Sequence, residues 1–426
     1  MLKNKFIKNF ILPSQLYNTS KKNVPNIKFG GIELPKKTIY LDFAASTPLD
    51  RRVLNEMTPW MLGYFANAAN RTHPMGEITD HAIAEARIKI SSIFKVDYDD
   101  VIFTSSATES NNLFLRGLIS SPFRKKNKIL YSPTEHSSII ATIKDLSEKF
   151  DDKIILKELP IDNEGQIVLA EAEKLIDSST LCVCVMDVNN ETGILQKNIS
   201  HLKNLCDKVN TILHIDMAQG FARCKTEDLF LNFDTATISS SKIYGPKGAA
   251  ALIIKKRKPK IKLEPQLTGG GHEFLLRSST PNTAAIIGFA KACELQKIEA
   301  SERFTYYEKL ENAFKNEISK YLQPIFYGQD SNKVKGILTL CISGVNAMKL
   351  LEETRSVCAS VGSACKTLQA TSSHVLLAMG VPLENALSSF RISFGLTNSE
   401  SEVREAAKRL AKTAIKLKKE SATLKQ

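Results

Sequence analysis

The sequence predicts an α/β fold, a mainly parallel sheet covered by helices on both sides, followed by a smaller α+β domain. Three observations predict it. The chain has 426 residues, and a single core stops growing at roughly 250–300, so two domains are expected. From Thr38 to about Ala290, short apolar runs of β type alternate with amphipathic helical stretches. Beyond Ala290 the alternation gives way to one long helix and a few shorter, separated runs.

In chain order, residues 1–32 come first and differ from the rest. They hold Lys3, Lys5, Lys8, Lys21, Lys22 and Lys28 without Asp or Glu, and Phe6, Ile7, Phe10 and Ile11 fall at helical spacing between the lysines. A basic, amphipathic, acid-free segment suits a mitochondrial transit peptide. The competing reading is a basic leader of a cytoplasmic protein, and the lack of Arg counts towards it. The large domain is then expected over residues 33–290. Its β-type runs are Thr38–Phe43, Val101–Thr104, Lys128–Tyr131, Lys153–Leu156, Leu181–Val188, Thr211–Ile215, Thr235–Ile238 and Ala249–Ile254. Helical stretches separate most of them, at Asp80–Phe94, Glu109–Ile119, Ser137–Phe150, Leu169–Ile176 and Ile199–Val209. Strands apolar on both faces, alternating with helices, indicate a parallel sheet with both faces covered.

Residues 291–426 are expected to form the small domain. A helix over about Ala290–Leu322 leads to runs at Lys335–Ile342 and Phe390–Phe394, and the chain closes on Glu402–Lys418, where Val403, Ala406, Ala407, Leu410, Ala414 and Leu417 make one apolar stripe. The formal charge of +13 comes largely from the leader, the Lys255–Lys262 run and the last helix. Aromatics are not interleaved with these basic residues as stacking platforms, so nucleic acid is not expected as a partner. No apolar run approaches the ~20 residues that span a bilayer, so no membrane is expected either. The eight cysteines include no CxxC pair, which argues against zinc or a disulfide framework and for a reducing compartment. Cys182 and Cys184 fall two apart in an apolar run and read as packing on one strand face.

In a parallel sheet, ligands gather at the carboxyl ends of the strands. Three features stand there. Thr104-Ser-Ser-Ala-Thr-Glu-Ser110 places small hydroxyl residues between a strand and a helix, as an anion site or an ordinary N-cap. His214-Ile-Asp216-Met-Ala-Gln219 puts a carboxylate just past a strand, where it can hold a protonated nitrogen or cap a helix. Ser239-Ser-Ser-Lys242, followed by Ile-Tyr-Gly-Pro-Lys-Gly248, can place a desolvated amine in a tight site, although a lone Lys is more often a solvated charge. Together these suit pyridoxal phosphate, whose phosphate needs a cradle, whose ring nitrogen needs a carboxylate and whose aldehyde needs an amine. A fourth feature, Val361-Gly-Ser-Ala-Cys365, sets a cysteine among small residues where a loop could swing.

With these residues in view, the sequence resembles the cysteine desulfurase family of the class V, fold-type I pyridoxal-phosphate enzymes. The likeness runs from about Ile39 to Gly395 through Tyr-Leu-Asp at 40–42, Phe103–Asn112, Thr134-Glu-His136, Val188-Asn-Asn-Glu-Thr-Gly193, His214–Gln219, Lys242–Gly248, Gly269–Gly271, Gly362-Ser-Ala-Cys365, Ser373–Gly380 and Arg391–Gly395. The resemblance implies a seven-stranded sheet, pyridoxal 5'-phosphate as cofactor, L-cysteine as substrate and a homodimer. It implies that Lys242 would take the cofactor's aldehyde and later move the Cα proton, that Asp216 would hold the ring nitrogen protonated, and that Gln219 would bond the phenolic oxygen. His136 would stack on the ring. Thr108, with Ala107, and Ser239 would bind the phosphate, and Thr280 would reach it from the second subunit. Arg391 would clamp the substrate carboxylate, Asn190 would orient substrate and ring, and Cys365 would take the sulfur as a persulfide and release alanine. The sulfur would pass to an acceptor protein, an iron–sulfur scaffold or another.

The sequence departs from the family pattern in three places. Ser241 stands where His usually precedes the Lys, Arg277-Ser-Ser-Thr280 replaces Arg-Ser-Gly-Thr, and Ala66-Asn-Ala68 replaces Gly-Asn-Pro. Losing the imidazole removes one phosphate donor unless Ser241 replaces it through water, and such a bond to a charged group is worth roughly 1.5–3 kcal/mol. Three further readings stay open: a selenocysteine lyase, another class V aminotransferase or β-lyase, and a weakly active relative retained as a binding subunit.

Overall fold

The computed structural model describes residues 37–150, 153–224, 232–329, 331–362 and 372–423; the leader at 1–32 and Cys365 lie outside the described residues. The chain begins with β1 (Ile39–Tyr40), α1 (Arg51–Leu62), α2 (Pro74–Phe94), β2 (Val101–Thr104) and α3 (Ala107–Ile119). It continues through β3 (Lys128–Tyr131), α4 (Ser137–Lys149), β4 (Ile155–Glu158), α5 (Leu169–Leu175), β5 (Thr180–Met186), α6 (Ile199–Lys208), β6 (Ile212–Asp216), β7 (Thr235–Ser239) and β8 (Ala250–Ile254). The remainder holds α7 (Thr283–Ile318), β9 (Ile325–Phe326), β10 (Ile337–Cys341), α8 (Ala347–Glu353), β11 (Val357–Cys358), β12 (Ser389–Ser393) and α9 (Glu400–Thr423).

Seven strands form one sheet in the order β2-β8-β7-β6-β5-β3-β4. Strand β8 is antiparallel to both neighbours, and the other pairings are parallel. The carboxyl ends of β2, β3, β5, β6 and β7 therefore open along one edge. The sequence explains the burial: all seven residues of β5 are buried, with Val183 and Val185 in the core on one face and Cys182 and Cys184 in the core on the other. Edge strand β4 carries the most exposed residues of the sheet.

A second core forms around the antiparallel sheet β12-β10-β9 and helix α9, whose apolar stripe of Val403, Ala406, Ala407, Leu410, Ala414 and Leu417 is buried there. Helix α7 joins the two cores. Residues Ala284 to Leu295 pack on the first, and Leu310, Ala313, Phe314 and Ile318 on the second. The boundary read from sequence at 290/291 falls inside this one helix.

Three differences from the sequence reading have physical reasons. The Thr38–Phe43 run does not join the large sheet. It yields only β1, which pairs in parallel with β11, because Ile39 and Leu41 bury against the second core. Helix α2 starts at Pro74, with proline in the first turn and His73 as its cap, and not at Asp80. Helix α1 was not anticipated; Asp50 caps it, accepting from the Arg52 N–H at 2.8 Å. No helix among the described residues is long and apolar enough to cross a membrane.

Candidate active site

Asp216 is the last residue of β6 and is buried. Its Oδ1 accepts from the Ala218 N–H at 3.0 Å and its Oδ2 from the Asn111 side-chain amide at 2.9 Å. Gln219 follows in the next turn, where its amide donates to the Ala44 carbonyl at 2.8 Å. Lys242 sits just beyond β7 and donates to the Ala44 and Ala45 carbonyls at 3.0 and 2.6 Å. Lysine and glutamine thus converge on one stretch of backbone, after β1, from two neighbouring strand ends.

His136 caps α4, its Nδ1 accepting from the Ser138 N–H at 3.1 Å. Asp216, Lys242, His374 and Glu191 are its titratable neighbours, and burial pushes its pKa down. His374 Nε2 lies 3.0 Å from the Glu135 carbonyl, which ties the short helix at His374–Ala378 to the turn before α4. Two carboxyl groups lie behind this turn. Glu135 is fully buried, and burial, reinforced by Asp216, raises its pKa well above the usual carboxylate range. Asp187, just past β5, is pushed up to about 8 by burial first, with Asp216 adding to the effect. Among the described residues, neither Glu135 Oε2 nor Asp187 Oδ2 has a hydrogen-bond partner.

Arg391, in β12, is 3% exposed. Its Nη2 donates to Asp42 Oδ1 at 2.7 Å and its Nη1 to the Asn190 carbonyl at 2.9 Å. Ser360 Oγ donates to the other Asp42 oxygen at 2.9 Å. The sequence reading expected a clamp for a substrate carboxylate. The structure adds Asp42 as an acidic neighbour that a carboxylate must share the guanidinium with or displace. Arg391 Nε is buried and has no partner among the described residues. Half-buried Cys358 comes near this group, with Asp42 beside it raising its thiol pKa further after burial.

The hydroxyl run after β2 opens α3. Ser106 is its cap, accepting from the Glu109 N–H at 3.1 Å, and Ala107 and Thr108 form the first turn with Thr108 exposed. Ser239 Oγ lies 3.2 Å from Ser241 Oγ. Thr280 is exposed on the segment before α7, and among the described residues no side-chain bond joins it to the other candidates. Arg277 of the same segment pairs with Glu109 at 2.7 Å. The residues present fit pyridoxal phosphate. Gln219 Oε1 is buried without a partner among the described residues, and each Asp216 oxygen accepts one bond with a lone pair to spare.

Sequence reasoning quoted Asn111, His214, Glu135 and Asp42 within its motifs but gave them no role in this site. Asn111 had a signal: it shares one helix face with Leu115 and Leu118, where an apolar residue is expected. His214 lies flat against Phe114 at 4.2 Å inside the sheet, and burial pushes its pKa down to about 3.

An open, mainly parallel sheet with a lysine, a carboxylate and a hydroxyl-rich turn at its carboxyl edge fits the class V aminotransferase type of enzyme. The profile of that family, Aminotransferase class-V, matches residues 39–405. The chain is 34% identical over 394 residues to "Cysteine desulfurase IscS" of Rickettsia africae, covering 92% of this chain and 94% of the relative. It is 34% identical over 365 residues to "Probable cysteine desulfurase, mitochondrial" of Schizosaccharomyces pombe, covering 86% of this chain and 72% of the relative. A solved structure titled "NIFS-LIKE PROTEIN" superposes with a TM-score of 0.80 at 30% identity, covering 88% of this chain and 98% of that one. The chain belongs to the cysteine desulfurase family.

Proposed function

We propose that the chain is a pyridoxal-phosphate-dependent cysteine desulfurase that converts L-cysteine to L-alanine and places the sulfur on Cys365. The observation that carries this reading is the convergence of Lys242, Asp216 and His136 at the carboxyl edge of the sheet, close enough that the charges of Asp216 and Lys242 act on the His136 ring. When bound, pyridoxal phosphate supplies an aldehyde and a ring that draws electrons from the substrate. Lys242 Nζ holds that aldehyde and then moves the proton at the substrate Cα. Asp216, fixed by Ala218 and Asn111, would accept from a protonated ring nitrogen. The α3 N-terminus at Ala107 and Thr108, with Ser239 and Ser241, takes the phosphate. Arg391 takes the substrate carboxylate. The Cys365 thiolate attacks the substrate sulfur, so an S–S bond forms as the Cβ–S bond breaks. The electron pair stays with the carbon, which takes up a proton and leaves as alanine.

Further parts of the reading are proposed with it. A homodimer would cover the apolar surface at the end of α1, where Leu62 is 77% and Phe65 73% exposed, and would bring Thr280 to the partner's phosphate site. The acid-free leader and the likeness to a relative named as mitochondrial support a mitochondrial location. An iron–sulfur scaffold is the proposed sulfur acceptor. The test is a paired assay: alanine and sulfide release from L-cysteine against selenide release from selenocysteine. Alanine formation from cysteine that is lost in Lys242→Ala is the expected result. Selenide release alone would replace the reading with a selenocysteine lyase.

A further inference from the structure

A chain of hydrogen bonds runs beneath the site from the sheet interior to His136. His214 Nδ1 lies 2.8 Å from Thr235 Oγ1, and its Nε2 lies 3.1 Å from Asn111 Oδ1. The Asn111 amide nitrogen lies 2.9 Å from Asp216 Oδ2 and 2.8 Å from Ser138 Oγ. Ser138 Oγ lies 2.8 Å from His136 Nδ1. All of these groups except His136 are buried.

Chemistry gives every link its direction. A carboxylate only accepts, so the Asn111 group facing Asp216 is the NH2, and its oxygen faces His214. That oxygen only accepts, so His214 carries its proton on Nε2, and its Nδ1 receives the Thr235 hydroxyl. The NH2 also donates to Ser138, which leaves the Ser138 hydroxyl hydrogen for His136. His136 Nδ1 then accepts from both the Ser138 hydroxyl and the Ser138 N–H at 3.1 Å. Two donors aimed at one nitrogen exclude a proton on it.

We infer that Asn111 is a positioning residue that acts in two directions at once: it orients Asp216 and, through Ser138, holds neutral His136 as the Nε2–H tautomer. His136 therefore offers a hydrogen-bond donor to the site and not a base. Proton abstraction is left to Lys242. Among the described residues, His136 Nε2 has no hydrogen-bond partner within the protein, so its N–H remains available to what binds there. This rests on the proposed function only for what binds; the tautomer is a property of the protein alone.

The test uses the full-length enzyme freed of cofactor and labelled with 15N-histidine, with His136 assigned by the signals lost in His136→Gln. Long-range proton–nitrogen correlation at a pH where the ring is neutral should show a protonated Nε2 and an unprotonated Nδ1. In Asn111→Asp the new carboxylate draws the Ser138 hydroxyl to itself and leaves the Ser138 N–H as the single donor to His136 Nδ1, so the Nε2–H share should fall. Ser138→Thr keeps the hydroxyl and should retain the Nε2–H form. Asn111→Leu should weaken binding of added pyridoxal phosphate about tenfold or more, since a bond to the Asp216 carboxylate is lost. A protonated Nδ1 in the wild type overturns the inference without any variant, as does an unchanged tautomer in folded Asn111→Asp. Failure of cysteine desulfuration would leave these signals as they are, so the two readings fail separately.

Discussion

Asp187 places a carboxyl in a fully buried position just past β5, where the Val188 N–H donates to its Oδ1 at 2.7 Å and the nearby Asp216 charge opposes ionisation. Its pKa of about 8 lies above the unfolded value of about 3.9, so the folded chain binds a proton that the unfolded chain releases. The stability this confers is full below about pH 4 and is lost as pH rises towards 8, by at most about 1.4 kcal/mol per unit. Asp187→Asn removes the titration and should flatten the stability profile between those limits. Urea unfolding of both forms at several pH values checks this; parallel profiles would show that Asp187 is ionised when folded. The contacts of Ser241 are local: its hydroxyl is 3.2 Å from Ser239 Oγ and its carbonyl accepts from Thr47 Oγ1 at 3.0 Å. Neither contact involves Lys242, Asp216 or His136.

The turn after β6 carries Gln219 and Gly220 against Asp187. A Cβ on Gly220 would stand 1.7 Å from Asp187 Oδ2, closer than any side chain can be placed. Gly220→Ala should destabilise the fold by about 1–3 kcal/mol and shift Gln219, read as a lower urea midpoint together with weaker binding of pyridoxal phosphate. A midpoint equal to wild type would mean that the turn yields freely. At this scale much was legible in the sequence. Strands β2 and β3 lie where the apolar runs placed them, and α3 to α6 end within one or two residues of the periodic stretches, because burial on both faces leaves continuous runs. Helix α1 was missed because Pro59 interrupts its pattern and only Val53 and Met57 are buried. Strand β1 was misplaced because its partner β11 is supplied by the far end of the chain, which no local pattern reports. The site was legible where chemistry needs a rare residue at a strand end, as with Lys242 and Asp216. It was illegible where a common residue acts through a distant partner, as with Asp42 on Arg391 or Asn111 between Asp216 and Ser138.

Across the whole molecule, two cores share helix α7, and the site lies where the carboxyl edge of the large sheet meets Arg391 of the smaller one. Closing the site is proposed to take a second copy of the chain. Replacing Leu62 and Phe65 with Glu should convert a dimer to a monomer in sedimentation and lower cofactor retention, because Thr280 would no longer reach the neighbouring site. A monomeric wild type would remove that part of the account. The residue proposed to take the sulfur, Cys365, lies outside the described residues, and six of the other cysteines are buried while Cys358 is half-buried. The most direct measurement is therefore to feed L-cysteine to the cofactor-loaded enzyme, trap persulfides and map them by peptide mass alongside alanine release. The account predicts one persulfide, on Cys365, formed in step with the first equivalent of alanine and absent from Cys365→Ser, which should still bind cofactor. Sulfide release at the wild-type rate from Cys365→Ser, or persulfide on another cysteine, would contradict it.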